Sequence, residues 1–139
     1  MFRKILVPVD FSAKNLNALR TARELAELVD GEVVLVHVIE TIEELPDEEL
    51  QSFYQRLERK AADHMQESLA QLGENGFARR SAIIFGHRPQ AIVDFAEREE
   101  IDVIVMSSHR VDRDRPAADW ITISYKVAIL ARCPVLLVK

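Results

Sequence analysis

A doubly wound α/β domain, with one five-stranded parallel sheet and helices on both faces, is the fold class this sequence predicts, and three observations predict it. Strand-like segments at residues 5–9, 32–39, 78–85, 101–106 and 135–138, all but the third largely apolar, alternate with four stretches of helical periodicity. The run at 5–9 and five of the six residues at 101–106 are apolar at consecutive rather than alternate positions, the pattern of strands buried on both faces. No repeat, low-complexity segment or linker divides the 139 residues, so a single domain over 1–139 accounts for the chain, linked by right-handed crossovers.

The first strand, Ile5-Leu6-Val7-Pro8-Val9, ends at Asp10, with Pro8 marking where pairing gives way. Ser12 is placed to cap a helix running to about Val29, with Leu16, Leu19, Ala22, Leu25, Ala26 and Val29 on one face. Asp30-Gly31 stops it, glycine being expected to supply the left-handed residue. The second strand carries His37 among apolar neighbours; without a second ligand beside it, a hydrogen-bonded core histidine is the expectation, not a metal ligand. The acidic run 43–49 complements the dipole at the start of a long helix to about Leu72, with Leu50, Tyr54, Leu57, Ala61, Met65, Leu69 and Leu72 inward. The third strand, exposed at Arg79, Arg80 and Ser81, reads as an edge. Gly86-His87-Arg88-Pro89 then turns into a helix that ends near Glu99, with Ala91, Ile92, Phe95 and Ala96 inward.

The fourth strand, 101–106, is the centre of the functional reading. Ligands of open α/β sheets sit beyond the carboxyl ends of the strands, where the strand order reverses, so Ser107, Ser108, His109 and Arg110 emerge at the mouth of any site. Asp10 and His87 leave the sheet at the same end. A charged loop, 111–118, precedes a last helix from about Asp119 or Trp120 to Ala131 and a fifth strand, Val135-Leu136-Leu137-Val138.

Composition excludes several classes. A net charge of −5 gives no general attraction to nucleic acid or to acidic membranes. The five apolar residues near the N-terminus are too few for a signal-peptide core or a span, and the one cysteine, Cys133, cannot form an internal disulfide; both point to a cytoplasmic protein. A phosphoreceiver domain needs an acidic pair after the first strand and an aspartate after the third, where Asp10 stands alone and Gly86 stands instead. No Gly-x-Ser-x-Gly elbow supports a hydrolase, and no Ser-Gly-Gly loop supports ATP-dependent substrate activation.

With these elements in place, the chain resembles the universal stress protein family over essentially its whole length. The resemblance is carried by residues 4–12 (Lys-Ile-Leu-Val-Pro-Val-Asp-Phe-Ser), by Leu35-Val36-His37-Val38-Ile39, by Gly86-His87-Arg88-Pro89, by residues 102–109 (Asp-Val-Ile-Val-Met-Ser-Ser-His) and by residues 133–138 (Cys-Pro-Val-Leu-Leu-Val). It implies the strand order 3-2-1-4-5, a homodimer joined through the fifth strand and a role in stress adaptation. It also implies a crevice whose lining in nucleotide-binding relatives is matched here by Asp10, Val38, Met106 and His109; with Ser107 and Arg110 at the end of the fourth strand, these are the candidate residues. Family members that bind ATP carry Gly-x-x-Gly, nine residues, then Gly-Ser or Gly-Thr, whose backbone N–H groups approach the phosphates. Here Ser107 and Arg110 replace the leading glycines, and the last falls on Trp120, or on Ile121 before Thr122 when counted back from Cys133-Pro134. Asp119 would place a carboxylate at the helix start, either as an N-cap or against a phosphate. Arg110, Arg113 and Arg115 could bind phosphate by side chain, but the interleaved Asp112 and Asp114 favour a self-neutralised solvated loop. The expectation is a non-enzymatic module with no cofactor, no metal and no strong ATP binding; the alternative is a divergent ATP- or AMP-binding member.

Overall fold

The computed structural model describes residues 1–41, 47–74, 76–108, 113–114 and 122–139. Five strands, β1 (Lys4–Pro8), β2 (Glu32–Glu40), β3 (Ala78–Gly86), β4 (Val103–Ser107) and β5 (Val135–Val138), form one parallel sheet in the order β3-β2-β1-β4-β5. Four helices connect them: α1 (Asn15–Val29), α2 (Asp47–Leu72), α3 (Gln90–Arg98) and α4 (Ile123–Leu130). Both the fold class and the strand order expected above are found.

The alternation of side chains along each strand splits the core in two. Ile5, Val7, Val33, Leu35, Val103 and Val105 face Ala18, Leu19, Ala22 and Ala26 of α1 and Met65 and Leu72 of α2. Leu6, Val34, Val36, Ile104 and Met106 face Ile92, Val93, Phe95 and Ala96 of α3 and Val127 of α4. The middle strands therefore contribute apolar residues to both faces, which is why their sequences run apolar without alternating. β3 is an edge, with no residue fully buried.

Two local expectations are corrected, and the buried stripe of α2 is shorter than expected. Ser12 does not cap α1: the N-cap position is Lys14, which makes no side-chain cap bond, and Asn15 supplies the polar contacts instead. The left-handed residue ending α1 is Asp30, at φ 50° and ψ 53°, not Gly31. Glycine is needed at 31 for space, since a Cβ there would lie 2.6 Å from the Arg3 carbonyl oxygen. The described start of α4 is Thr122, whose hydroxyl accepts from the Tyr125 N–H; the start expected at Asp119 or Trp120 lies outside the described residues. Of the inward positions expected on α2, Ala61, Met65 and Leu72 are buried, whereas Leu50, Tyr54, Leu57 and Leu69 are only half-buried. No described helix is long and apolar enough to cross a membrane.

Candidate functional site

The strand order reverses between β1 and β4, and the crevice the fold requires at that point is present. It has a volume of about 230 Å³. One wall is apolar, with Val36, Val38, Ile92 and Met106 continuing the core beneath α3; the other carries Asp10, Lys14, Asn15, Ser107, Ser108, Thr122 and Ser124, and Arg88 also lines the space.

Asn15 shapes the polar wall. After Pro8 the chain stays beside β2 for one more residue, the Val9 N–H donating to the Val36 carbonyl at 2.8 Å, and then turns sharply, with Phe11 at φ 67°. The buried Asn15 side chain fixes that turn by accepting from both Asp10 N–H and Phe11 N–H at 2.9 Å, while its amide donates to Ser107 Oγ at 2.9 Å. One side chain thus ties the end of β1 to the end of β4. Deeper in, Ser124 Oγ donates to Ser108 Oγ at 3.2 Å and lies 3.0 Å from the Thr122 hydroxyl, so these hydroxyls satisfy one another at the start of α4.

Asp10 accepts from the Ser12 N–H at 2.9 Å. Partial burial works against its charge, but the Ser12 hydrogen bonds and the positive charge of Arg88 prevail and hold its carboxyl below the usual range. His37 donates from Nδ1 to the Val9 carbonyl at 2.7 Å, and Phe11 lies against its ring with centroids 4.3 Å apart. Burial first, and Arg88 in addition, push its pKa down despite that hydrogen bond; the hydrogen-bonded histidine expected is found, half-buried at the edge of the core. Among the described residues no group of three or more His, Cys, Asp or Glu is placed to hold a metal ion.

Arg88 enters from the turn between β3 and α3. Its backbone N–H and its Nε both donate to Glu40 Oε1, at 3.0 and 3.2 Å, and the other Glu40 oxygen lies 3.3 Å from His87 Nδ1. Burial opposes the charge of Glu40, but these donors outweigh it and lower its pKa. His87 itself lies outside the crevice, on the β3 side with Phe85 and Gln90.

Of the candidate residues, Asp10, Val38, Met106 and Ser107 line the crevice together. His109 and Arg110 lie outside the described residues, as do Asp112, Arg115, Asp119 and Trp120; Arg113 is exposed. Sequence reasoning missed Lys14, Asn15, Arg88 and Ser124 as crevice residues. The rule that picked Ser107, that polar residues just past a strand end face the ligand, applies as it stands to Arg88, two residues past β3, and would have found Asn15 had it been extended to the first turn of the following helix.

The universal stress protein family model matches residues 1–139. A universal stress protein of Methanocaldococcus jannaschii is 29% identical over 130 residues, covering 78% of each chain. A solved structure of the same archaeal protein superposes with a TM-score of 0.84 at 28% identity, covering 100% of this chain and 97% of that one. The Archaeoglobus fulgidus universal stress protein in complex with dAMP has a TM-score of 0.73 at 22% identity over the whole of both chains, and a universal stress protein in complex with cAMP has 0.74 at 15%, covering 99% of this chain and 96% of that one. With the wound sheet, the reversal-point crevice and a family model that spans every residue, the chain belongs to the universal stress protein family.

Proposed function

We propose that this protein is a dimeric, non-catalytic regulatory module of stress adaptation whose crevice does not hold ATP tightly. The observation that carries the reading is the replacement of all three glycines of the ATP motif, with Ser107 at the first position. A glycine there leaves the backbone N–H open to a phosphate; a serine brings a side chain to that place, and this one is engaged by Asn15 at 2.9 Å. The hydroxyls of Thr122, Ser124 and Ser108 are likewise engaged with one another at the start of α4. For catalysis the crevice offers Asp10, whose lowered pKa makes it a weak base.

Nucleotide binding by relatives, with dAMP and with cAMP, supports a ligand role for the crevice without requiring a triphosphate. Calorimetric titration with Mg-ATP tests the reading. The expected dissociation constant is weaker than roughly 10 μM; a value at or below that, about −7 kcal/mol, overturns it.

A further inference from the structure

We infer that Arg88, held in place by Glu40, is the anion-recognition group of the crevice, and that the ligand it selects is a nucleoside monophosphate. The inference rests on the reading above, that the crevice is a ligand site unsuited to a triphosphate, and adds the group that reads the ligand and the number of phosphates it accepts.

The guanidinium is fixed from one side only. Glu40 Oε1 takes the Nε hydrogen and the backbone N–H of Arg88, while among the described residues no hydrogen bond engages the two outer guanidinium nitrogens. Those nitrogens form the half of the fork that matches two oxygens of a phosphate, and holding Nε removes rotamer freedom that a free arginine would lose on binding. Arg88 lines the crevice beside Ile92, on the side of the apolar wall of Val36, Val38 and Met106 against which a flat base can lie. Its side chain is 33% exposed and lines the crevice, so the guanidinium is not free in solvent.

Charge sets the number of phosphates. Among the described residues Lys14 and Arg88 are the cations lining the crevice, and Asp10 in the crevice with Glu40 behind Arg88 offsets them. Against that near-neutral lining a single phosphate monoester, at about −2, is met by Lys14 and the outer half of the Arg88 fork, whereas a triphosphate brings roughly twice that charge toward the Asp10 carboxylate with no glycine cradle to share it. Anion reading has thus moved from the β4–α4 side, where the glycines are gone, to the β3–α3 turn.

The test is titration of the full chain with AMP, adenosine and ATP, followed by calorimetry and by ¹⁵N spectra that include the arginine Nε–H signals, for the wild type and for Arg88→Lys, Arg88→Gln and Glu40→Gln. The wild type is expected to bind AMP more tightly than adenosine by roughly tenfold or more. Arg88→Gln should remove that preference while leaving adenosine binding in place. Arg88→Lys, which keeps the charge and loses the fork, should lose most of it, and Glu40→Gln should lose a few-fold. The Arg88 Nε–H signal should shift with AMP and not with adenosine. Equal affinity for AMP and adenosine, an undiminished preference in Arg88→Gln, or no binding of either nucleotide in the wild type overturns the inference. If the Arg88 variants fail to fold, an Arg88 signal unmoved by saturating AMP overturns it. Tight ATP binding would instead overturn the proposed function, whatever the Arg88 variants show.

Discussion

Asn15 joins two strand ends through three hydrogen bonds of 2.9 Å, so its truncation should be felt well beyond its size. Asn15→Ala is expected to cost about 1–2 kcal/mol in urea unfolding, since two backbone donors and a serine lose their partner, whereas the exposed Asn17→Ala should cost less than about 0.5. Equal effects would sink the clamp. Asp10 gives a pH signature at the same turn. Its carboxyl is held below the ordinary value of 3.8, so the stability it contributes is fully present above that value and is lost as pH falls through its lower folded value. Asp10→Asn should therefore be less stable than the wild type at pH 7, with the gap closing below about pH 4; a gap independent of pH would contradict the assignment. At this scale the sequence was legible where the crevice follows strand ends, as at Asp10 and Ser107. It was opaque where function depends on contacts across the sheet: nothing local announces that Asn15 reaches Ser107, 92 positions away, or that Glu40 grips Arg88 across 48.

The elements were legible to within a few residues because burial on two faces writes largely apolar, non-alternating runs into β1, β2 and β4, and 3.6-residue periodicity writes the helices. Their ends were less so. Ser12 offers a good cap on local grounds, but the turn at Phe11 is fixed by Asn15, and Gly31 answers to the Arg3 carbonyl of a neighbouring segment and not to its own torsions. α2 makes the same point along its length. Its periodic leucines suggest one continuous buried stripe, yet the helix, 26 residues and about 39 Å long, outreaches the sheet it covers. Burial begins at Ala61 and continues through Met65, Ser68 and Leu72, while Leu50, Tyr54 and Leu57 stay half-buried, with Tyr54 edge-on to Phe85 at 5.7 Å. Met65→Ala should accordingly cost about 2–4 kcal/mol and Leu50→Ala less than about 1.5, compared by urea denaturation. A reversed order would mean that the first half of α2 is seated as firmly as the second.

At the scale of the whole molecule, β5 is the open edge of the sheet and the strongest reason to expect a second copy. The carbonyls of Pro134 and Val138 accept from Ile104 of β4 and from Ser108 just beyond it, so by strand alternation the N–H and C=O groups of Val135 and Leu137 point to the open side. Edge strands are ordinarily blunted by charge or proline, and Val135–Val138 has neither before Lys139. Leu136 is 44% exposed on the strand, and Ile129 and Leu130 are 80% and 48% exposed on the helix before it. Antiparallel pairing of β5 with its copy about a two-fold axis would satisfy the open ladder and close the assembly at two chains. Leu137→Pro removes an outward donor without removing a bond to β4, and Leu136→Glu adds charge to the edge without touching the buried core; each should shift the protein toward monomer, the second without loss of fold. Light scattering after size exclusion should give the wild type about twice the 15.9 kDa chain mass at roughly 10 μM. A wild-type mass near one chain at that concentration, or a Leu136→Glu variant that remains fully dimeric, would mean that the β5 edge is not where two copies meet.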